Sequence, residues 1–271
     1  MEFQQRPISS SHNPRFRAVL ALQNGRQRRQ SGRILIDGIR EIGRAIDSGV
    51  HPDEAWVDPE RLDDTAIAAV VERLRTAGHP VIEADGRLVG RLGYGQRDTG
   101  VVLVARTPDV RLDRLSLPAD PLVVILEGVE KPGNLGAVIR TADAAGVSAV
   151  VLADGGTDPF NPNAIRASLG TVFVVPLAVA SSGEALEWVH QQSLRIVAAH
   201  VDGVLDHTAA DLTGRLAIVL GSEVGGLSAA WASGGVTSVR VPMLGIGDSL
   251  NVSATAAVLS YEAVRQRRAS Q

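Results

Sequence analysis

The chain has 271 residues, a length that suits two domains, and its 45% apolar content can fill their cores. It has no cysteine, which excludes disulfides, thiolate zinc sites and a cysteine nucleophile, and its six histidines are scattered, so no metal is expected. No apolar run approaches the roughly 20 residues that span a bilayer, and no apolar signal core follows Arg6, so a cytoplasmic protein with no membrane partner is expected.

The net charge of −3 hides an asymmetry: residues 1–36 hold seven Arg and one acid, Glu2. Such a local excess on a mildly acidic chain suits a polyanion partner, with a solvated basic face as the alternative. Residues 1–12, rich in Ser and Gln, read as a disordered tail. Asn13-Pro14 opens a helix through Phe16, Val19, Leu20 and Leu22 that stops at Asn24-Gly25. Arg26, Arg28, Arg29 and Arg33 then lie beside a loop, placed to meet RNA phosphates, with Arg97 a further candidate. Strands at 34–36, 55–57, 80–82 and 100–105 alternate with helices at 39–46 and 66–77. This pattern predicts a small α/β/α substrate-binding domain over residues 13–106. Residues 107–121, with three Pro, read as a linker.

From Leu122 the pattern changes to near-continuous apolar runs at 122–126, 149–152, 172–175, 195–199, 216–220 and 238–241. Strands buried on both faces read this way, so residues 122–271 are predicted to form a parallel α/β sheet domain. Ligands of such sheets sit beyond the carboxyl ends of the strands. After the first strand, Pro132-Gly133 makes a turn, Asn134 is placed to cap the next helix, and Arg140 lies six residues on. Arg166, just before the third run, is another cation able to hold a phosphate. Residues 217–227 and 239–251 are each a strand opening into a Gly- and Ser-rich loop, the pattern of a cofactor pocket. Neither G-x-G-x-x-G nor G-x-x-x-x-G-K-[ST] occurs, which disfavours a dinucleotide oxidoreductase and a nucleotide triphosphatase.

Three segments in order carry a resemblance: Lys131-Pro-Gly-Asn-Leu-Gly-Ala-Val-Ile-Arg140, Leu220-Gly-Ser-Glu223-Val-Gly-Gly-Leu227, and Val241-Pro-Met243 with Ser249-Leu-Asn251. They resemble the three motifs of the SpoU-type RNA ribose methyltransferases of the trefoil-knotted SPOUT superfamily. The likeness spans residues 122–268, and the front unit resembles that family's RNA-binding domain. Within the family the chain is similar to antibiotic-resistance methyltransferases that act on large-subunit ribosomal RNA.

The resemblance implies S-adenosylmethionine as donor, a ribose 2′-hydroxyl as acceptor, a homodimer and a deep C-terminal knot. It implies a catalytic set of Asn134, Arg140, Glu223, Ser249 and Asn251. Leu220, Gly221, Met243, Leu244, Gly245, Ile246, Leu250 and Asn251 are implied to line the cofactor pocket. Arg166 is implied as an RNA contact beside Arg26, Arg28, Arg29 and Arg33. Two positions depart from the family pattern: Val224-Gly225 where many relatives carry Gly and a basic residue, and Asp37 where they often carry Glu. Ribosomal RNA is the expected substrate; a transfer-RNA methyltransferase and a catalytically silent knotted RNA-binding protein are the alternatives.

Overall fold

In the computed structural model, which describes residues 7–96, 99–222, 225–232 and 235–269, the chain divides into two units. One comprises Met1–Pro108 with Phe160–Val174; the other comprises Asp109–Pro159 with Val175–Gln271. Residues 160–174, which the sequence pattern left inside the second domain, thus pack with the front unit.

The front unit begins at the expected cap. The Asn13 side chain accepts from the N–H groups of Arg15 and Phe16 and starts α1 (Pro14–Leu20). Asn24 ends the first helical stretch, as its Asn-Gly pair suggests: it caps the turn Ala21–Gln23 that follows α1, its N–H donating to Ala21 O. Its extended backbone also suits an N-cap, and its side chain accepts from the Arg26 N–H at 2.9 Å to open α2 (Gly25–Ser31). The basic run expected beside a loop is itself mostly helical, and the helix is closed by Gly32 at φ +64°.

There follow β1 (Arg33–Asp37), α3 (Ile39–Asp47), β2 (Pro52–Val57), α4 (Thr65–Thr76), β3 (Val81–Glu83), α5 (Gly86–Leu92) and β4 (Val101–Arg106). Of these, α5 is absent from the predicted elements; Asp85 caps it. The sheet order is β1-β4-β2-β3, with only β2 and β3 parallel. Phe16, Val19, Leu35, Trp56 and Leu92 fill its core, Phe16 meeting Trp56 edge-on with ring centroids 6.0 Å apart. The expected tail is not disordered over residues 7–12: Ile8 bridges Ala84, donating to Glu83 O and accepting from the Asp85 N–H, both at 2.9 Å. An apolar side chain beside an open strand edge gains burial and backbone partners that composition does not reveal.

The second unit contains β5 (Leu122–Glu127), α6 (Pro132–Ala145) and β6 (Ala149–Ala153); α7 (Pro162–Ala167) belongs to the front unit. It continues with β7 (Leu177–Ala180), α8 (Ser182–Gln191), β8 (Arg195–Ala199), β9 (Leu205–Asp206), β10 (Leu216–Leu220), β11 (Val236–Arg240) and α9 (Val252–Ala269). The sheet order is β7-β6-β5-β10-β8-β11-β9 and every pairing is parallel, so the expected parallel α/β domain is observed. The strand predicted at 172–175 is instead a helical turn, Thr171–Phe173. Gly170 turns the chain at φ +82°, and Phe173 stacks on Phe160 within the front unit, so the run serves that packing and the strand starts after Pro176.

The segment expected as a linker is tied down: Leu112, Leu115 and Leu117 pack against the sheet unit's core, and the Val179 N–H donates to Val110 O. At the far end, Arg267 of α9 donates to Asp120 O at 3.0 Å and Pro121 O at 3.1 Å, more than a partner of the helix dipole would do.

Candidate active site

The sheet reverses its winding between β5 and β10, and the carboxyl ends of strands at such a switch point make a natural crevice. On the β10 side of that point, a cavity of about 860 Å³ opens against the ends of β8, β10 and β11. Leu220, Gly221, Met243 and Leu250, expected as cofactor contacts, line it, and so does Ser249, expected as catalytic. Leu244, Gly245 and Ile246 do not, and the side chains of Leu244 (99%) and Ile246 (107%) are fully exposed. They lie in the loop between β11 and α9, uncovered by any of the described residues. Asn251 is also absent from this wall.

Sequence reasoning missed the other side of the cavity, Ala199 to Asp202 after β8. That loop has no run of Gly and Ser to announce it, though the rule of strand carboxyl ends points there. Two carboxylates, Asp202 and Asp248, line the cavity beside apolar Leu220, Val239 and Leu259. Gly221 lets the walls close: a Cβ on it would stand 2.3 Å from the Gly226 carbonyl carbon. Ser222 and Gly226 exchange backbone hydrogen bonds, both 3.1 Å, and the Ser222 hydroxyl accepts from the Gly225 N–H at 2.9 Å.

A second cavity of about 260 Å³ lies at the end of β5, lined by Gly128, Glu130, Lys131 and Asn134. Ser222 and Val252 line both cavities, so they form the wall between them. Asn134 is not the expected N-cap. Pro132 suits the first helical position and starts α6 after Lys131, which leaves Asn134 inside the first turn. Its Oδ1 accepts instead from Asn251 Nδ2 at 3.2 Å, across 117 residues of sequence. Asn251 in turn accepts from the N–H (2.9 Å) and hydroxyl (2.7 Å) of Ser253 and so caps α9.

Arg140 is exposed on α6, lines neither cavity, and has no hydrogen-bond or ion-pair partner among the described residues. Glu223 and Arg97 lie outside the described residues.

The proposed RNA contacts divide. Arg26 and Arg29 are exposed on α2. Arg28 is 3% exposed and donates from Nη1 to Leu22 O at 2.8 Å and Gln23 O at 3.0 Å, so it braces the fold and, unlike the expected RNA contact, does not face solvent. Successive helical positions face different sides, and one of this trio had to turn inward. Arg33 pairs with Asp53 at 3.4 Å and Glu54 at 3.5 Å, and Arg166 lies 3.8 Å from Asp37. Neither is a free cation.

The model of the SpoU rRNA Methylase family matches residues 121–261, and that of the MRM3-like substrate binding domain matches residues 13–102. The chain belongs to the SpoU rRNA methylase family. One family member, a 23S rRNA (uridine(2479)-2′-O)-methyltransferase from Streptomyces viridochromogenes, is 33% identical over 95% of this chain and 92% of its own. The 23S rRNA (guanosine-2′-O-)-methyltransferase RlmB of Vibrio vulnificus is 32% identical over 87% of this chain and 98% of its own. The solved structure of the SpoU methyltransferase AviRb from Streptomyces viridochromogenes, in complex with the cofactor AdoMet, superposes with a TM-score of 0.87. It is 32% identical and covers 95% of this chain and 99% of its own.

Proposed function

We propose that this protein transfers a methyl group from S-adenosylmethionine to a ribose 2′-hydroxyl of 23S ribosomal RNA. The observation that carries the reading is the pair of cavities divided by Ser222 and Val252. A donor in the larger and a nucleotide in the smaller meet across a single wall.

The larger cavity fits the donor. Its volume lies in the range of small-molecule sites, about 300–1,000 Å³. Leu220, Met243 and Leu250 suit the faces of an adenine, while Asp202 and Asp248 complement a cationic sulfonium and ammonium. Bound there, S-adenosylmethionine supplies an electrophilic methyl group. The protein supplies alignment, which is worth up to about 7–11 kcal/mol of barrier in well-oriented reactions. The Asn134–Asn251 hydrogen bond joins the acceptor side of the site to the start of α9, and α9 places Val252 in the shared wall.

The 2′-hydroxyl loses its proton as its oxygen gains the methyl group. Arg140 is a guanidinium and stays charged, so its role is to clamp a phosphate of the target nucleotide, whose oxygen or a water takes the proton. Glu223 and Ser249 complete the catalytic set. Arg26 and Arg29, two exposed cations on α2, dock the RNA backbone. A homodimer would cover exposed Leu244, Ile246 and Tyr261, and the packing of α9 on α6 is consistent with a C-terminal chain drawn through a trefoil knot.

The test is transfer of labelled methyl from S-adenosylmethionine to 23S rRNA and to tRNA, with mapping of the modified nucleotide. Label in one 2′-O-methylated 23S nucleotide is expected. Label in tRNA alone would move the substrate assignment, and no label in any RNA would remove the reading.

A further inference from the structure

One buried carboxylate plays no part in the chemistry above. Glu127, the last residue of β5, is 5% exposed and accepts four hydrogen bonds. Its Oε2 accepts from the Ser228 N–H at 2.7 Å. Its Oε1 accepts from the Ser228 hydroxyl at 2.7 Å, the Trp231 indole N–H at 2.9 Å and the Ser182 hydroxyl. Burial opposes the charge, but these donors together hold the carboxyl below its ordinary range.

The partners place the carboxylate between the two cavities. Ser228 stands two residues beyond Gly226, which lines the donor cavity. Gly128, next after Glu127, lines the acceptor cavity, and a Cβ on it would lie 3.5 Å from the Ser222 Cβ, in ordinary contact with the dividing wall. We infer that Glu127 is a positioning residue, one that clamps the foot of the donor-side loop at Ser228 to the root of the acceptor-side loop at Gly128. The inference rests on the methyltransferase reading. Glu127 touches no substrate; it holds Gly225 and Gly226 where the donor needs them.

The chemistry of the contacts makes the clamp separable from general stability. All four partners are donors, and two of them, the hydroxyls, can also accept. In Glu127→Gln an amide oxygen at the Oε1 position keeps the Trp231 bond, while the amide N–H₂ faces the Ser228 N–H, donor against donor. The substitution therefore releases the foot of the loop and leaves the indole and the surrounding core in place. Glu54, a buried carboxylate of the front unit that accepts from Arg15 and Trp56, gives a control with a similar structural cost.

The experiment is calorimetric titration of S-adenosylmethionine into the full-length wild type, Glu127→Gln and Glu54→Gln, with thermal melts of each. Glu127→Gln is expected to raise the Kd by about tenfold, the scale of one lost hydrogen bond to a charged group. Glu54→Gln is expected to lower the melting temperature without changing the Kd by more than about twofold, the effect of a change confined to the front unit. Ser228→Ala removes one of the two bonds at the foot, should raise the Kd by roughly three- to fivefold, and carries the test alone if the Gln variant does not fold. Wild-type affinity in Glu127→Gln or, failing its folding, in Ser228→Ala overturns the clamp. A wild type that does not bind S-adenosylmethionine overturns the methyltransferase reading, and the clamp with it.

Discussion

Arg28 and Arg29 are sequence neighbours of the same charge, and the structure buries the first and exposes the second. Truncating Arg28 to Ala removes a buried guanidinium that donates to Leu22 O and Gln23 O, leaving both carbonyls of the turn between α1 and α2 without that donor. Hydrogen bonds to charged groups are worth about 1.5–3 kcal/mol. A cost of about 2–3 kcal/mol to the front unit follows. With a urea dependence of about 1–3 kcal/mol per molar for a unit of this size, the unfolding midpoint should fall by about 1 M. Trp56, fully buried in that unit's core, reports the transition by fluorescence. Arg29→Ala should leave stability within about 0.5 kcal/mol, as surface changes do. It should instead weaken RNA binding and lower the slope of log K against log salt by about 0.7–0.9, the signature of one lost phosphate contact. Wild-type stability in Arg28→Ala together with a reduced salt slope would refute the burial argument and restore Arg28 as an RNA contact.

Gly221→Ala places a methyl group 2.3 Å from the Gly226 carbonyl carbon and oxygen, so one wall of the donor cavity must shift. Overpacking of this kind costs about 1–3 kcal/mol, and titration calorimetry should show S-adenosylmethionine affinity reduced by roughly tenfold or more. Arg140→Lys keeps the charge but loses the two-pronged grip, so methyl transfer should fall at least about tenfold with an unchanged melting curve. Full activity with unchanged RNA affinity would dismiss the phosphate clamp. Glu262 of α9 is held at about 2, chiefly by hydrogen bonds from Arg265 against the effect of burial, with Gln266 and His207 adding to the effect. A depressed folded-state value means that its contribution to stability is complete above the unfolded value near 4.5 and is lost as pH falls through about 2. Urea unfolding of wild type and Glu262→Gln should therefore differ by a constant amount near neutrality, and the gap should narrow between those two values.

The sheet domain was legible because its strands are buried on both faces, and a run such as Leu122–Leu126 has few other readings. The motif loops were legible for a related reason: Gly221 stands where only a residue without a side chain fits. What escaped was non-local. Arg28 looks like its neighbours until the carbonyls of Leu22 and Gln23 are placed beside it. Ile8 is an isolated apolar residue in a polar stretch until β3 offers it an edge. Asn24 both ends one helical stretch and begins the next, and its Asn-Gly pair announces only the first. The loop after β8 joined the donor cavity through strand order, which local pattern does not encode.

The excursion of residues 160–174 into the front unit bears on how this protein can be taken apart. The backbone passes from one unit to the other three times, at 108/109, 159/160 and 174/175, so no single cut separates them. A fragment ending at Pro108 would lack α7, leave Asp37 without Arg166, and free the Arg44 guanidinium from the Leu169 carbonyl it bonds at 2.6 Å. A front unit meant to stand alone, or to be exchanged with that of a relative, must carry this second segment. Grafted as two pieces, it would have to enter the host at both of its natural junctions.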